Sequence, residues 1–379
     1  LREISRRSII TGLRIFLAIT IVVGMGVLIF SVKGLTFGDL IKRETWVVLA
    51  RPGTWAEVGR DLVRALRSMR IGFLVLATAF MMGRLYMDIL RVQILSKAAG
   101  KWMPFRSSAE FNVGGLFLAA VTPFQSGGVP LQLYICRRLG LSIGAGGAVI
   151  VFRGVLSAIV FVLVLPIMIL FFKEFLVGPV VRPLGRYLIV LYAVMFSLLL
   201  LALFRPGGMK RHLLMFDSYL RIKRIVRTDR FERFYMKLFE QIEEFRKSAR
   251  DYFGRRKALL GAAFLLSCGA VVLNASIAPA ILYGLGQTPS VAASFILAVL
   301  LLYILAFVPT PGASGFAEVG AYSLFFFLIE RNLLGVFVLL WRFFTLYLGA
   351  FLGGVLLLRM LRGGVSVGSV FSQSSQTRG

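Results

Sequence analysis

The sequence predicts an all-α polytopic membrane protein of two inverted-topology repeats, each with a broken, re-entrant helical hairpin. Three observations predict it. Hydrophobic residues fill 58% of 379 positions, at a mean hydropathy of +0.84, against about 45–50% in an ordinary soluble domain. Most lie in runs of about 18 or more, long enough to cross a bilayer. The motif T-P-x-x-S-G occurs twice, at Thr122–Gly127 and Thr310–Gly315, 188 residues apart. Finally, 44 Lys and Arg against 17 Asp and Glu give a formal net charge of +27. With so many apolar runs, a balance that basic points to a membrane surface as partner.

Taken in order, the first long apolar run, 15–30, follows Arg2, Arg6, Arg7 and Arg14, within an expected helix at 9–31. It has the charge layout of a signal peptide but lacks an A-x-A-like cleavage site and is long enough to remain as a helix. Residues 1–32 therefore read as a signal anchor. The first repeat, 71–172, holds expected helices at 71–96, at 111–121 continuing after a break into 125–136, and at 143–172. A linking helix is expected at 186–204. The polar stretch 205–257 carries 16 Lys and Arg against 7 Asp and Glu. Its Phe231, Phe234, Tyr235, Leu238 and Phe239 recur at three and four, as in an amphipathic helix on a membrane surface. The second repeat, 258–362, holds expected helices at 258–284, 290–308, 312–329 and 333–358. The tail 363–379 is rich in Gly and Ser and reads as disordered.

Charge also orients the chain. The net +9 of 205–257, with Arg359 and Arg362 at the end of the last helix, places both in the cytoplasm by the positive-inside rule. The uncharged link Gly284–Ser290 suits the opposite face. Counting crossings backwards puts residue 186 outside, Arg137 and Arg138 inside, residue 70 outside and the N-terminus inside. The first repeat then starts outside and the second inside, which is inverted topology by parity. Residues 32–70, with 8 basic and 4 acidic side chains, fall outside and pull against this scheme.

Proline and glycine explain why the motif interrupts a helix: Pro123 and Pro311 remove a donor and clash with the preceding turn, and Gly127, Gly128, Gly312 and Gly315 remove side chains. In hydrocarbon such a break survives only when buried in protein or lining a wet cavity. Breaks at matching places in two halves, each opened by Thr122 or Thr310, mark a central site. Each is followed by an apolar helix with one arginine, Arg153 and Arg342, which lie 189 residues apart. Glu318 sits one turn after Gly315. An ionised group at the bilayer centre costs at least about 2.5–3.5 kcal/mol and faces a partner or a water-filled cavity. In the functional reading Arg153 and Arg342 hold a lipid phosphate and Glu318 meets a cationic part of the headgroup. Gln125, Ser126 and Ser314 are the polar side chains of the breaks. In the plainer reading Glu318 and Arg342 form an ion pair that locks helices together. Arg84, Asp88 and Arg91 form a further cluster, read as lying at the interface with its arms snorkelling.

Soluble chemistry finds no support. The chain has no HExxH, no G-x-S-x-G and no Walker A loop, and its one histidine, His212, has no companion in a recognisable motif. Cys136 and Cys268 lack metal-ligand or disulfide spacing and read as small core residues. No cofactor or metal is expected. The basic stretch suits anionic lipid rather than nucleic acid.

Two segments carry a family likeness. Asn112–Tyr134, with Thr122-Pro-Phe-Gln-Ser-Gly-Gly-Val-Pro130, and Val308-Pro-Thr-Pro-Gly-Ala-Ser-Gly-Phe-Ala-Glu318 resemble the flippase-like membrane domain of lysylphosphatidylglycerol synthases, over about residues 10–360. The resemblance implies a lipid translocator with two re-entrant hairpins and supports roles for Pro123, Gly127, Gly128, Pro311, Gly312, Gly315 and Glu318. Where many relatives carry an acidic residue in the first hairpin, this chain has Val129 and Pro130. It reads as a stand-alone member without the soluble synthase domain. The expectation is therefore a multi-pass protein of the bacterial inner membrane, not an enzyme. It would move an anionic or zwitterionic phospholipid, or an aminoacyl derivative, between leaflets, with a homo-oligomer left open. The alternatives are an enzyme or accessory subunit in lipid-linked sugar or phospholipid metabolism, and a membrane scaffold.

Overall fold

The computed structural model describes residues 52–122, 125–171, 244–245, 247–254, 256–306, 308 and 310–362, with 190, 194 and 197. The expected signal anchor, most of the linking helix and of 205–257, and the tail lie outside the described residues. Among the described residues all regular structure is helical. Four helices, Ile71–Ala98, Ile143–Val164, Lys257–Gly284 and Arg331–Met360, are long and apolar enough to cross a membrane.

Helix α1, Pro52–Ser68, was not anticipated. It opens on proline, whose missing donor costs nothing at a helix start, and its Arg60, Arg64 and Arg67 are exposed while Ala65 is buried. So few apolar residues hid it from a search for long apolar runs. Helix α2 spans Ile71–Ala98. The first hairpin starts at Phe105, just after Pro104, rather than at 111. It runs through α3 (Phe105–Ala109), a π-turn (Glu110–Gly114) and α4 (Gly115–Val121). After the break it returns as α5, Gly128–Arg138, starting later than 125 because Gln125–Gly127 lie in the turn. Helix α6 is Ile143–Phe171 and α7 is Lys257–Gly284.

The second hairpin pairs α8, Val291–Leu305, with α9, Phe316–Phe325. The Ser290 hydroxyl caps α8 by accepting from Ala293 N at 3.4 Å. The last span, expected as one regular helix, consists of α10 (Arg331–Arg342), a second π-turn (Phe343–Tyr347) and α11 (Leu348–Arg362).

The chain divides into two compact units. The first comprises residues 1–87, 109–131 and 269–379, and the second 88–108 and 132–268. In the first unit small residues let helices meet: a Cβ on Gly128 would lie 2.9 Å from Gly115 O, and one on Gly320 would lie 2.7 Å from Leu301 Cδ1. Helix α11 packs on the first π-turn and on α4, and α4 packs on the turn Pro311–Ala313 of the second break. In the second unit Phe152 meets Tyr252 edge to face, with centroids 4.5 Å apart.

Candidate functional site

The described residues of the two motifs share one turn contact. In each, the Thr carbonyl accepts from the backbone N–H three residues on: Gln125 to Thr122 at 3.3 Å, and Ala313 to Thr310 at 2.9 Å. Each donor residue has φ of 55°, a left-handed conformation that costs a residue with a Cβ roughly 1–2 kcal/mol. Such geometry persists only where its surroundings enforce it. The threonines help to do so. Thr122 Oγ1 donates to Leu118 O at 2.7 Å and accepts from Gly127 N at 2.8 Å, and Thr310 Oγ1 donates to Ser314 O at 3.0 Å. Pro123 lies outside the described residues. Gln125 and Ser126 are exposed.

At the second break the sequence brings its charges together. Glu318 stands in the first turn of α9, where its Oε2 accepts from Gly315 N at 2.7 Å, a carboxylate satisfying the free donors of a helix N-terminus. Arg342, at the end of α10, donates from Nε to Glu318 Oε1 at 2.9 Å and from Nη2 to Gly312 O at 3.0 Å. Ser314 Oγ lies 3.5 Å from Nη2, and Tyr347 donates to Glu318 Oε1 at 3.5 Å. Glu318 is 0% and Arg342 3% exposed. In this conformation, then, the two charges neutralise one another while Arg342 is fastened to the turn itself. Each has a second partner, so neither depends wholly on the pair.

Polar contacts extend to the second π-turn. Arg84 Nη1 lies 3.4 Å from both Thr345 O and Asn274 Oδ1, placing a donor against a backbone carbonyl of the widened turn. Asp88 and Arg91 belong to the second unit. Instead of snorkelling they are buried, at 8% and 5% exposure. Arg91 Nη2 pairs with Asp88 Oδ1 at 2.5 Å, and Nη1 reaches Ser157 Oγ at 2.9 Å and Ser267 Oγ at 3.0 Å. Arg91 thus ties α2, α6 and α7 together, which the spacing of residues 84, 88 and 91 could not reveal. Arg153, half-buried on α6, is also in the second unit, whereas Glu318, Arg342 and both breaks lie in the first.

Sequence reasoning missed Tyr347, Thr345, Asn274, Ser157 and Ser267 as partners. It also passed over Glu110 and Asn112, buried at 4% and 1%. Their signal was available: two strongly polar residues open an apolar run. Both cysteines are free thiols, Cys136 buried and Cys268 half-buried.

Comparison with known proteins agrees with this architecture. A family described as the lysylphosphatidylglycerol synthase TM region matches residues 15–353. The chain is also 24% identical over 290 residues to a UPF0104 membrane protein of Archaeoglobus fulgidus, covering 76% of this chain and 86% of the relative. With helices long enough to span and a match over most of its length, the chain is a multi-pass membrane protein that belongs to the lysylphosphatidylglycerol synthase TM-region family.

Proposed function

We propose that the protein moves a polar-headed phospholipid between the two leaflets of its membrane, as a transporter and not as an enzyme. The observation that carries this reading is the buried Glu318–Arg342 pair, fastened at 3.0 Å to the carbonyl of a broken helix. Intramembrane charges of this kind mark substrate pathways, and broken helices supply them with polar backbone. A guanidinium accepts phosphate as readily as carboxylate. A lipid phosphate reaching Arg342 would displace Glu318, whose carboxylate keeps the Gly315 N–H and the Tyr347 hydroxyl as partners. The freed carboxylate would then accept from a donor on the headgroup, an ammonium or a hydroxyl. The family's link to lysylphosphatidylglycerol favours a phosphate-bearing headgroup.

In this scheme Gln125, Ser126 and Ser314 line the path, and the basic stretch 205–257 gathers anionic lipid at the cytoplasmic surface. Reconstitution tests the proposal. Purified protein in liposomes should flip labelled phospholipid, and Glu318→Gln, which keeps size and removes charge, should abolish flipping while the protein stays monodisperse. Wild-type rates in Glu318→Gln would defeat the role given to the carboxylate.

A further inference from the structure

Asn112 is 1% exposed, and neither its side-chain oxygen nor its nitrogen has a hydrogen-bond partner. A buried polar group left unsatisfied costs about 1–3 kcal/mol, and native interiors leave few of them. Asn112 sits in the π-turn Glu110–Gly114, a local widening of the helix that recurs at functional sites. The turn does not need the amide to hold its position. Helix α11 presses against it so closely that a Cβ on Gly353 would fall 2.1 Å from Val113 O, so backbone contact fixes the turn. From it the chain runs directly into α4, which packs on the second break.

We infer that Asn112 is the binding site of a hydroxyl group. Its amide offers an acceptor and donors side by side. A hydroxyl answers both, whereas an ammonium only donates and a phosphate oxygen only accepts. The hydroxyl comes from a lipid headgroup or from a buried water. The headgroup form rests on the lipid-transport reading above, and the water form does not.

Two measurements separate these sources. In liposomes, wild-type protein should flip labelled phosphatidylglycerol, whose headgroup carries hydroxyls, in preference to phosphatidylethanolamine, whose headgroup ends in ammonium. Asn112→Leu should reduce that preference about tenfold, the effect of losing one buried hydrogen-bonding group, with an unchanged or raised melting temperature in lipid-free detergent. Asn112→Ser, which keeps a donor and an acceptor on a shorter stem, serves if the Leu variant does not assemble. The second measurement is a high-resolution map of the lipid-free protein. A water-sized peak within hydrogen-bonding distance of the amide, together with unchanged preference in Asn112→Leu, assigns the hydroxyl to water. An amide bonded only to protein groups, with preference unchanged and a lowered melting temperature, overturns the inference. A wild-type protein that flips neither lipid removes the transport reading, and the map still decides whether the amide holds a hydroxyl.

Discussion

Gly127 and Gly315 occupy the same place in the two motifs for different physical reasons. A Cβ on Gly127 would lie 2.6 Å from Thr122 Cγ2 and 2.8 Å from Leu118 O, so this glycine is required by close approach. Around Gly315 there is open space, but its φ is 87°, so this one is required by backbone conformation. Gly315→Ala should therefore cost about 1–3 kcal/mol. Gly127→Ala should cost about 1–3 kcal/mol by forcing Thr122 away from its two hydrogen bonds. Thermal unfolding in detergent measures both. A replacement of Thr122 by Ser should partly rescue Gly127→Ala by removing Cγ2, and should do nothing for Gly315→Ala. At this scale Glu318 and Arg342 were legible in the sequence because charges stand out in apolar runs. Their pairing with each other was the plainer reading, and the structure shows it; their further partners were not legible, since Gly312 O is backbone and Tyr347 reaches Glu318 from 29 residues away.

Helix termini and turns decide the next scale. At the end of α2 Leu95 O and Lys97 O accept from Ala99 N and Gly100 N, and the end of the basic stretch adds a side-chain donor to each. Tyr252 donates to Leu95 O at 2.9 Å, and Arg256 donates to Lys97 O. Tyr252 is fully buried, and burial holds its phenol well above the ordinary range, so it remains a donor at any physiological pH. The described end of 205–257 is thus docked into a core, whereas periodicity alone pictured the whole stretch lying on a surface. Tyr252→Phe should destabilise the second unit by about 1 kcal/mol and speed amide exchange over 247–254, and unchanged exchange would show that docking does not depend on this bond. Long spans were legible to within a few residues because apolar length is a strong signal. The π-turns were not, since Glu110–Gly114 and Phe343–Tyr347 differ from ordinary helix only in a widened ladder that packing against α11 and Arg84 supports. Helix starts also shifted wherever polar residues such as Ser107 and Ser108 are buried against neighbours.

For the whole molecule, charge distribution gives a topology that can be tested directly. The neutral link Gly284–Ser290 should face outward and 205–257 the cytoplasm. In a background lacking Cys136 and Cys268, an impermeant thiol reagent added outside should label a cysteine at Gln287 and spare one at Arg230. The reverse pattern would invert the scheme. Replacing Arg221, Lys223, Arg224 and Arg227 by Gln should lower the anionic lipid retained on purification, since each cation near such a surface contributes about 1 kcal/mol. Equal lipid content would remove the surface role. The inverted repeat was read from two six-residue motifs and a parity count. The matched φ of 55° at Gln125 and Ala313 is a likeness at one position of the two motifs, which part again at Gly127 and Gly315, and it does not extend to the repeats as wholes.

As proposed, the Glu318–Arg342 pair engages a lipid headgroup beyond any part it plays in holding helices together. Removing one partner strands a buried charge at a cost of about 3–5 kcal/mol, while replacing both leaves no charge unpaired. The double variant Glu318→Gln with Arg342→Gln therefore isolates function from folding. Its phospholipid flipping in liposomes, normalised to monodisperse protein, is the most direct measurement. The expected result is a melting temperature at or above that of Glu318→Gln alone, with flipping lost. Wild-type flipping by the stably folded double variant would contradict it and leave the pair a structural lock.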